Sequence, residues 1–102
     1  MKIEWAKPAL LDLESIRDYI RRDSDYYAAR FVERIIKAVE SLEGFPEMGR
    51  SVPEAEKENI RELLFYNYRI MYRVEAERIL ILTVIHGARK LSQKKPRPWD
   101  VI

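Results

Sequence analysis

The chain has 102 residues, 47% of them hydrophobic and 35% charged, with no cysteine and a single histidine. Those values suit one folded domain with one modest core and exclude a disordered chain. They also exclude disulfides and thiolate metal sites, and one histidine argues against zinc held by protein ligands, so neither metal nor cofactor is expected. The net charge of +2 hides an asymmetry, because residues 1–60 carry 10 Lys/Arg against 13 Asp/Glu while residues 61–102 carry 9 against 4. A basic second half suggests an anionic partner, either nucleic acid or an acidic protein segment. There is no apolar run of transmembrane length and no signal-peptide pattern, and with no cysteine a reducing cytoplasm is the expected location.

Lys2 to Trp5 alternates and reads as a short first strand. Pro8 fits the first turn of a helix, where a missing N–H costs nothing. Leu10, Leu13, Ile16 and Ile20 then recur at three- and four-residue steps, giving a helix over about 9–22 whose other side carries Asp12, Glu14, Arg17 and Asp18. Asp23-Ser24-Asp25 breaks the pattern, and Ser24 or Asp25 can cap a second helix with the stripe Ala28, Phe31, Val32, Ile35, Val39 and Leu42. Gly44 ends it near residue 43. So short a break predicts an antiparallel helix hairpin.

Phe45 to Pro53 reads as a loop, and the acidic stretch Glu54 to Glu58 as more loop or a helical turn. Three strands follow, over Ile60 to Phe65, Tyr68 to Val74 and Arg78 to His86, joined at Tyr66-Asn67 and Glu75-Ala76-Glu77. The last is apolar on both faces and therefore central. The order β-α-α-β-β-β predicts an α+β fold, with the hairpin packed on one face of a small, mainly antiparallel sheet. Residues 1–93 form the expected single domain and residues 94–102 a basic C-terminal tail.

By the two-residue period, Ile70, Tyr72 and Val74 share one face of the second of these strands, and Arg69, Met71 and Arg73 the other. Helices cover one face only, so the arginine face is expected to be the open one, with Met71 uncovered. Arg61, Arg69, Arg73 and Arg89 make a candidate anion-binding set. His86 and Arg89 flank Gly87-Ala88 at a strand end, where proton transfer and stabilisation of a charged phosphate are chemically possible. A histidine bonded to backbone and arginines in ordinary ion pairs are the plain structural alternatives. Tyr66, Tyr68 and Tyr72 are candidates for base stacking or for core packing.

Several segments together resemble the ParE/RelE superfamily of small bacterial toxins from type II toxin–antitoxin systems, a group that includes plasmid stabilisation proteins. They are Ala9-Leu-Leu-Asp-Leu-Glu-Ser-Ile-Arg-Asp-Tyr-Ile20, Ala28-Ala-Arg-Phe31, Leu42-Glu-Gly-Phe-Pro-Glu-Met-Gly-Arg50, Arg61-Glu-Leu63, Tyr68-Arg-Ile-Met-Tyr-Arg-Val74 and Val84-Ile-His-Gly-Ala-Arg89. The resemblance implies the fold just described. It also implies a cognate antitoxin, a partly disordered acidic and apolar segment folding against the sheet and helices, in a dimer or heterotetramer.

The resemblance leaves two targets open. A ParE-like member poisons DNA gyrase by binding. A RelE-like member cleaves mRNA on the ribosome, in which case Arg61, Arg69 and Arg89 hold the phosphate and His86 moves protons. Arg69 and Arg89 match arginines of the nuclease pattern, but its strand lysines are unmatched and no tyrosine follows Tyr72. The ParE-like reading is therefore preferred. A non-toxic binding domain that retains the fold is the third reading.

Overall fold

The computed structural model describes residues 1–87 and 97–100. Strand β1 (Lys2–Trp5) leads through Ala6 into helix α1 (Lys7–Arg21), followed by helix α2 (Asp25–Glu40) and a 3-10 turn over Ser41–Glu43. Strands β2 (Arg50–Ser51), β3 (Ile60–Phe65), β4 (Tyr68–Val74) and β5 (Arg78–His86) complete a five-stranded sheet in the order β1-β5-β4-β3-β2. Only β1 runs parallel to its neighbour, pairing Ile3 with Ile79 and Trp5 with Ile81. The other neighbours are antiparallel. A second 3-10 turn spans Pro98–Asp100.

Local chemistry accounts for these boundaries. Pro8 sits in the first turn of α1, and Ser24 caps α2 by accepting a hydrogen bond from the Tyr27 N–H at 3.2 Å. The β3–β4 turn bends at Tyr66, whose φ of 52° lies in the left-handed region. The Gly87 N–H donates to the Asn67 carbonyl at 2.6 Å, holding the end of β5 to that turn.

β5 contains a bulge. Met71 pairs with Thr83 and Tyr72 with Ile81, which leaves Leu82 as the extra residue. Asp12 of α1 fastens this irregularity, since its Oδ2 accepts from the Val84 N–H at 2.9 Å and from the Thr83 hydroxyl. The helical pattern placed Asp12 on a solvated side; in the structure it joins helix to sheet.

The sheet is packed on both faces. The helix side buries Leu13, Ile16, Ile35, Val39 and Leu42 against Ile70, Tyr72, Ile79, Ile81 and Val84. On the other side Met71, Leu80, Leu82 and Ile85 are covered by Val52, Ala55 and Trp99. The expectation of an open arginine face with an uncovered Met71 is therefore corrected, because Met71 has no exposed surface. The segment after β2 folds back over that face, and Trp99 reaches it from beyond β5. Residues 94–96 and 101–102 of the expected tail lie outside the described residues.

Candidate functional site

β3 and β4 place the candidate arginines. Arg61 pairs with Tyr72 across the strands, and Leu64 with Arg69. Arg61 therefore shares the helix-side face with Tyr72. It donates to the Gly49 carbonyl at 2.7 Å, so it holds the loop after α2 rather than standing free. Tyr72 grips the same loop. Its hydroxyl donates to the Pro46 carbonyl at 2.8 Å and accepts from the Gly49 N–H at 2.9 Å. Burial pushes the Tyr72 phenol above its ordinary pKa. A fully buried ring has no face left for a base, so the stacking role considered for Tyr72 is withdrawn.

Arg69 lies on the opposite face, only 9% exposed. Its Nε donates to Glu62 Oε1 at 2.5 Å, and its two terminal nitrogens bind Glu54 as a fork at 3.0 Å each. Glu62, 1% exposed, also accepts from Arg50 Nε at 2.7 Å. The Glu54 hydrogen bonds raise the Arg69 pKa, and those same bonds hold the Glu54 carboxyl below the usual carboxylate range. This member of the candidate anion-binding set is thus already engaged by the chain's own carboxylates. Arg73 bonds Glu75 at 2.8 Å, and Arg78 bridges Glu75 to Glu4.

His86 closes β5 opposite Tyr68. The two rings meet edge to face with centroids 5.6 Å apart, and Tyr68 in turn packs on Phe31 of α2 at 5.7 Å. His86 therefore belongs to the helix-side face. Arg69 pairs with Ile85 and belongs to the other. Arg61 shares a face with His86 but stands four residues further along β3, roughly 13 Å away in the strand direction at about 3.3 Å per residue. Among the described residues, Arg61, Arg69 and His86 do not converge. Arg89 lies outside the described residues.

What sequence reasoning missed lies on the helix hairpin. Tyr26, Tyr27, Arg30, Phe31 and Arg34 of α2, with Ile20 of α1, line a hollow of about 360 Å³. No group of His, Cys, Asp or Glu among the described residues is placed to hold a metal ion. No helix among them is long and apolar enough to cross a membrane.

The chain matches, over residues 3–91, the family described as the ParE toxin of the type II toxin–antitoxin system parDE. It belongs to that family. It is 36% identical over 94 residues to a putative toxin, Y4kP, of Sinorhizobium fredii, covering 90% of this chain and 94% of that one. To toxin RelE2 of Caulobacter vibrioides it is 36% identical over 89 residues, covering 86% and 97%. A solved structure of the chromosomal ParDE system of P. aeruginosa superposes with a TM-score of 0.71 at 26% identity, covering 84% of this chain and 95% of that one. The RelBE2 toxin–antitoxin complex of Mycobacterium tuberculosis shares the fold at 19% identity, with a TM-score of 0.62 over 83% and 95%. The protein is a type II toxin of the ParE/RelE family, and its α+β architecture is the family's.

Proposed function

We propose that this toxin acts in the cytoplasm by binding and inhibiting DNA gyrase, without a catalytic centre of its own, and that a cognate antitoxin neutralises it. One observation carries the reading. Arg69, one of the candidate phosphate-binding cations, is enclosed by Glu54 and Glu62 on the face opposite the histidine. Cleavage through a 2′-hydroxyl needs cations and proton carriers within reach of one phosphate. Inhibition by docking needs only an exposed surface. Family membership under a ParE description supports the same choice. The antitoxin is supported by the ParDE and RelBE2 systems that share the fold.

The 36% identity to a protein named RelE2 keeps ribosome-dependent mRNA cleavage as the second reading. Purified toxin decides between them in a paired assay of gyrase supercoiling and of message integrity on translating ribosomes. Inhibited supercoiling with intact message is expected. Cleaved message with normal supercoiling refutes the proposal. In that event Arg61, Arg69, His86 and Arg89 are the residues to test, beginning with His86→Ala.

A further inference from the structure

We infer that the hollow on the helix hairpin is the surface through which the toxin grips its target, and that its occupant is an acidic segment of the target protein bearing an apolar side chain. This rests on the reading that the toxin acts by docking on a protein. In the sheet, Arg50, Arg69, Arg73 and Arg78 each bond a carboxylate of the chain itself, and Arg61 is held by the Gly49 carbonyl. Arg30 and Arg34 form no ion pair among the described residues. They sit instead on the rim of a hollow floored by Ile20 and Phe31, and no carboxylate lines it. Arg30 stacks against Tyr26, its guanidinium 5.9 Å from the ring centroid.

The rings here are presented rather than stored. Tyr26 and Tyr27 are 65% and 68% exposed, although they open a helix whose apolar stripe is well buried. Phe31 carries the surface onward, with its ring 5.9 Å from Tyr66, itself 71% exposed at the β3–β4 turn. Tyrosine and arginine gathered round an apolar floor are the residue types that dominate binding energy at protein interfaces. Free guanidinium groups beside apolar surface call for carboxylates flanking an apolar anchor.

Charge decides against a nucleic acid in this place. Residues 7–40 carry seven Lys/Arg and seven Asp/Glu, a net charge of zero. A phosphate backbone is held by an excess of cations spread along its path, whereas the hollow offers two free arginines at one spot. The second large hollow, lined by Met1, Phe45, Pro46, Met48, Val74 and Glu47, has a carboxylate but no arginine or lysine on its wall and does not suit an acidic segment.

The test uses the full-length toxin with Arg30→Glu/Arg34→Glu, with Tyr27→Ala, and with Arg17→Glu as a control on the exposed face of α1. Each is read by growth arrest on induction, supercoiling inhibition, affinity for the co-expressed antitoxin, and melting temperature. The hollow variants should raise the toxin concentration for half-inhibition more than tenfold and relieve growth arrest. They should keep wild-type melting, and the control should behave as wild type. Retained poisoning by the hollow variants overturns the inference. So does lost antitoxin affinity with poisoning intact, which reassigns the surface to the antitoxin. A single-stranded oligonucleotide that binds wild type but not the variants overturns the protein occupant. If wild type leaves gyrase untouched yet its growth arrest still requires Arg30, Arg34 and Tyr27, the gyrase reading fails while the docking surface stands.

Discussion

Arg69 and His86 stand one residue apart in register on adjacent strands, yet they face opposite sides of the sheet. Arg69 is a structural cation, locked between Glu62 and Glu54. Removing it leaves Glu62 buried with Arg50 as its remaining partner. Arg69→Ala should therefore cost about 3 kcal/mol, the lower end of what breaking a buried pair costs. Arg69→Met combined with Glu62→Met should recover most of that, because an apolar pair of similar volume needs no partner. Urea midpoints at pH 7 measure both. A functional anion-binding arginine would show the reverse pattern, with stability kept and activity lost in both variants.

The Glu54–Arg69 fork gives a pH signature. The folded-state pKa of Glu54 lies below its unfolded value, chiefly through the Arg69 hydrogen bonds. Its contribution is thus complete above the ordinary glutamate pKa, and it fades as pH falls through that value toward the folded one. Glu54→Gln should lower stability near neutrality by a small amount, since the carboxylate is 39% exposed and screened by solvent. It should also flatten the loss of stability on acidification. Melting temperatures from pH 7 to pH 3 distinguish a flatter variant curve from a parallel one, and a parallel curve rejects the assignment.

Tyr72 and Gly49 form the lock of the loop after α2. A Cβ at Gly49 would lie 2.5 Å from the Glu62 carbonyl oxygen and 2.6 Å from the Tyr72 hydroxyl. Gly49→Ala must therefore displace backbone, at about 1–3 kcal/mol for an overpacked site. Tyr72→Phe keeps the ring but strands the buried Gly49 N–H, a loss of about 1–3 kcal/mol. The two losses should fall short of additive in the double variant, because both release the same loop. Denaturation of the single and double variants measures this, and full additivity contradicts a shared lock.

Much of this arrangement was legible in the chain. The period of two gave β3, β4 and β5, and it gave the division of β4 into a Tyr72 face and an Arg69 face. It could not say what covers each face, because Val52, Ala55 and Trp99 come from segments with no periodic signal. One clue was present. β5 is apolar on both faces, which requires cover on both and so forbids an open face under Met71. Alternation likewise records a residue's side, not its partners, so Arg69 carried no sign of Glu54. The hollow was hidden for a related reason: Phe31 reads as core from its spacing, while Tyr26 and Tyr27 precede the stripe and carry no pattern.

Asp12 supplies a test of how α1 is held to β5. Its carboxylate is bonded to both the Val84 N–H and the Thr83 hydroxyl at the bulge. Asp12→Ala leaves a strand N–H of the sheet without its acceptor, which should cost about 1–3 kcal/mol. Asp12→Asn retains an acceptor oxygen and should lose less. Amide hydrogen exchange gives the local readout, with Val84 protection expected to fall in Asp12→Ala before protection in β3 changes. Uniform loss across the sheet would mean that Asp12 serves global packing and not the bulge.

Trp99 closes the second core. It is 4% exposed and packs with Met71, Leu80 and Ile85 on the face the helices do not cover. Its Arg97 neighbour lies over the indole at 5.5 Å and bonds Asp100 at 2.7 Å, which fixes the turn that delivers the ring. Trp99→Ala removes the largest side chain on that side, and about 3–5 kcal/mol is the usual loss for such a truncation. Trp99→Phe should retain most of the stability, because a ring still covers Met71. If the tryptophan serves packing alone, supercoiling inhibition by Trp99→Phe should match wild type at temperatures where both are folded. Weakened inhibition with intact folding would instead place the indole in contact with the target.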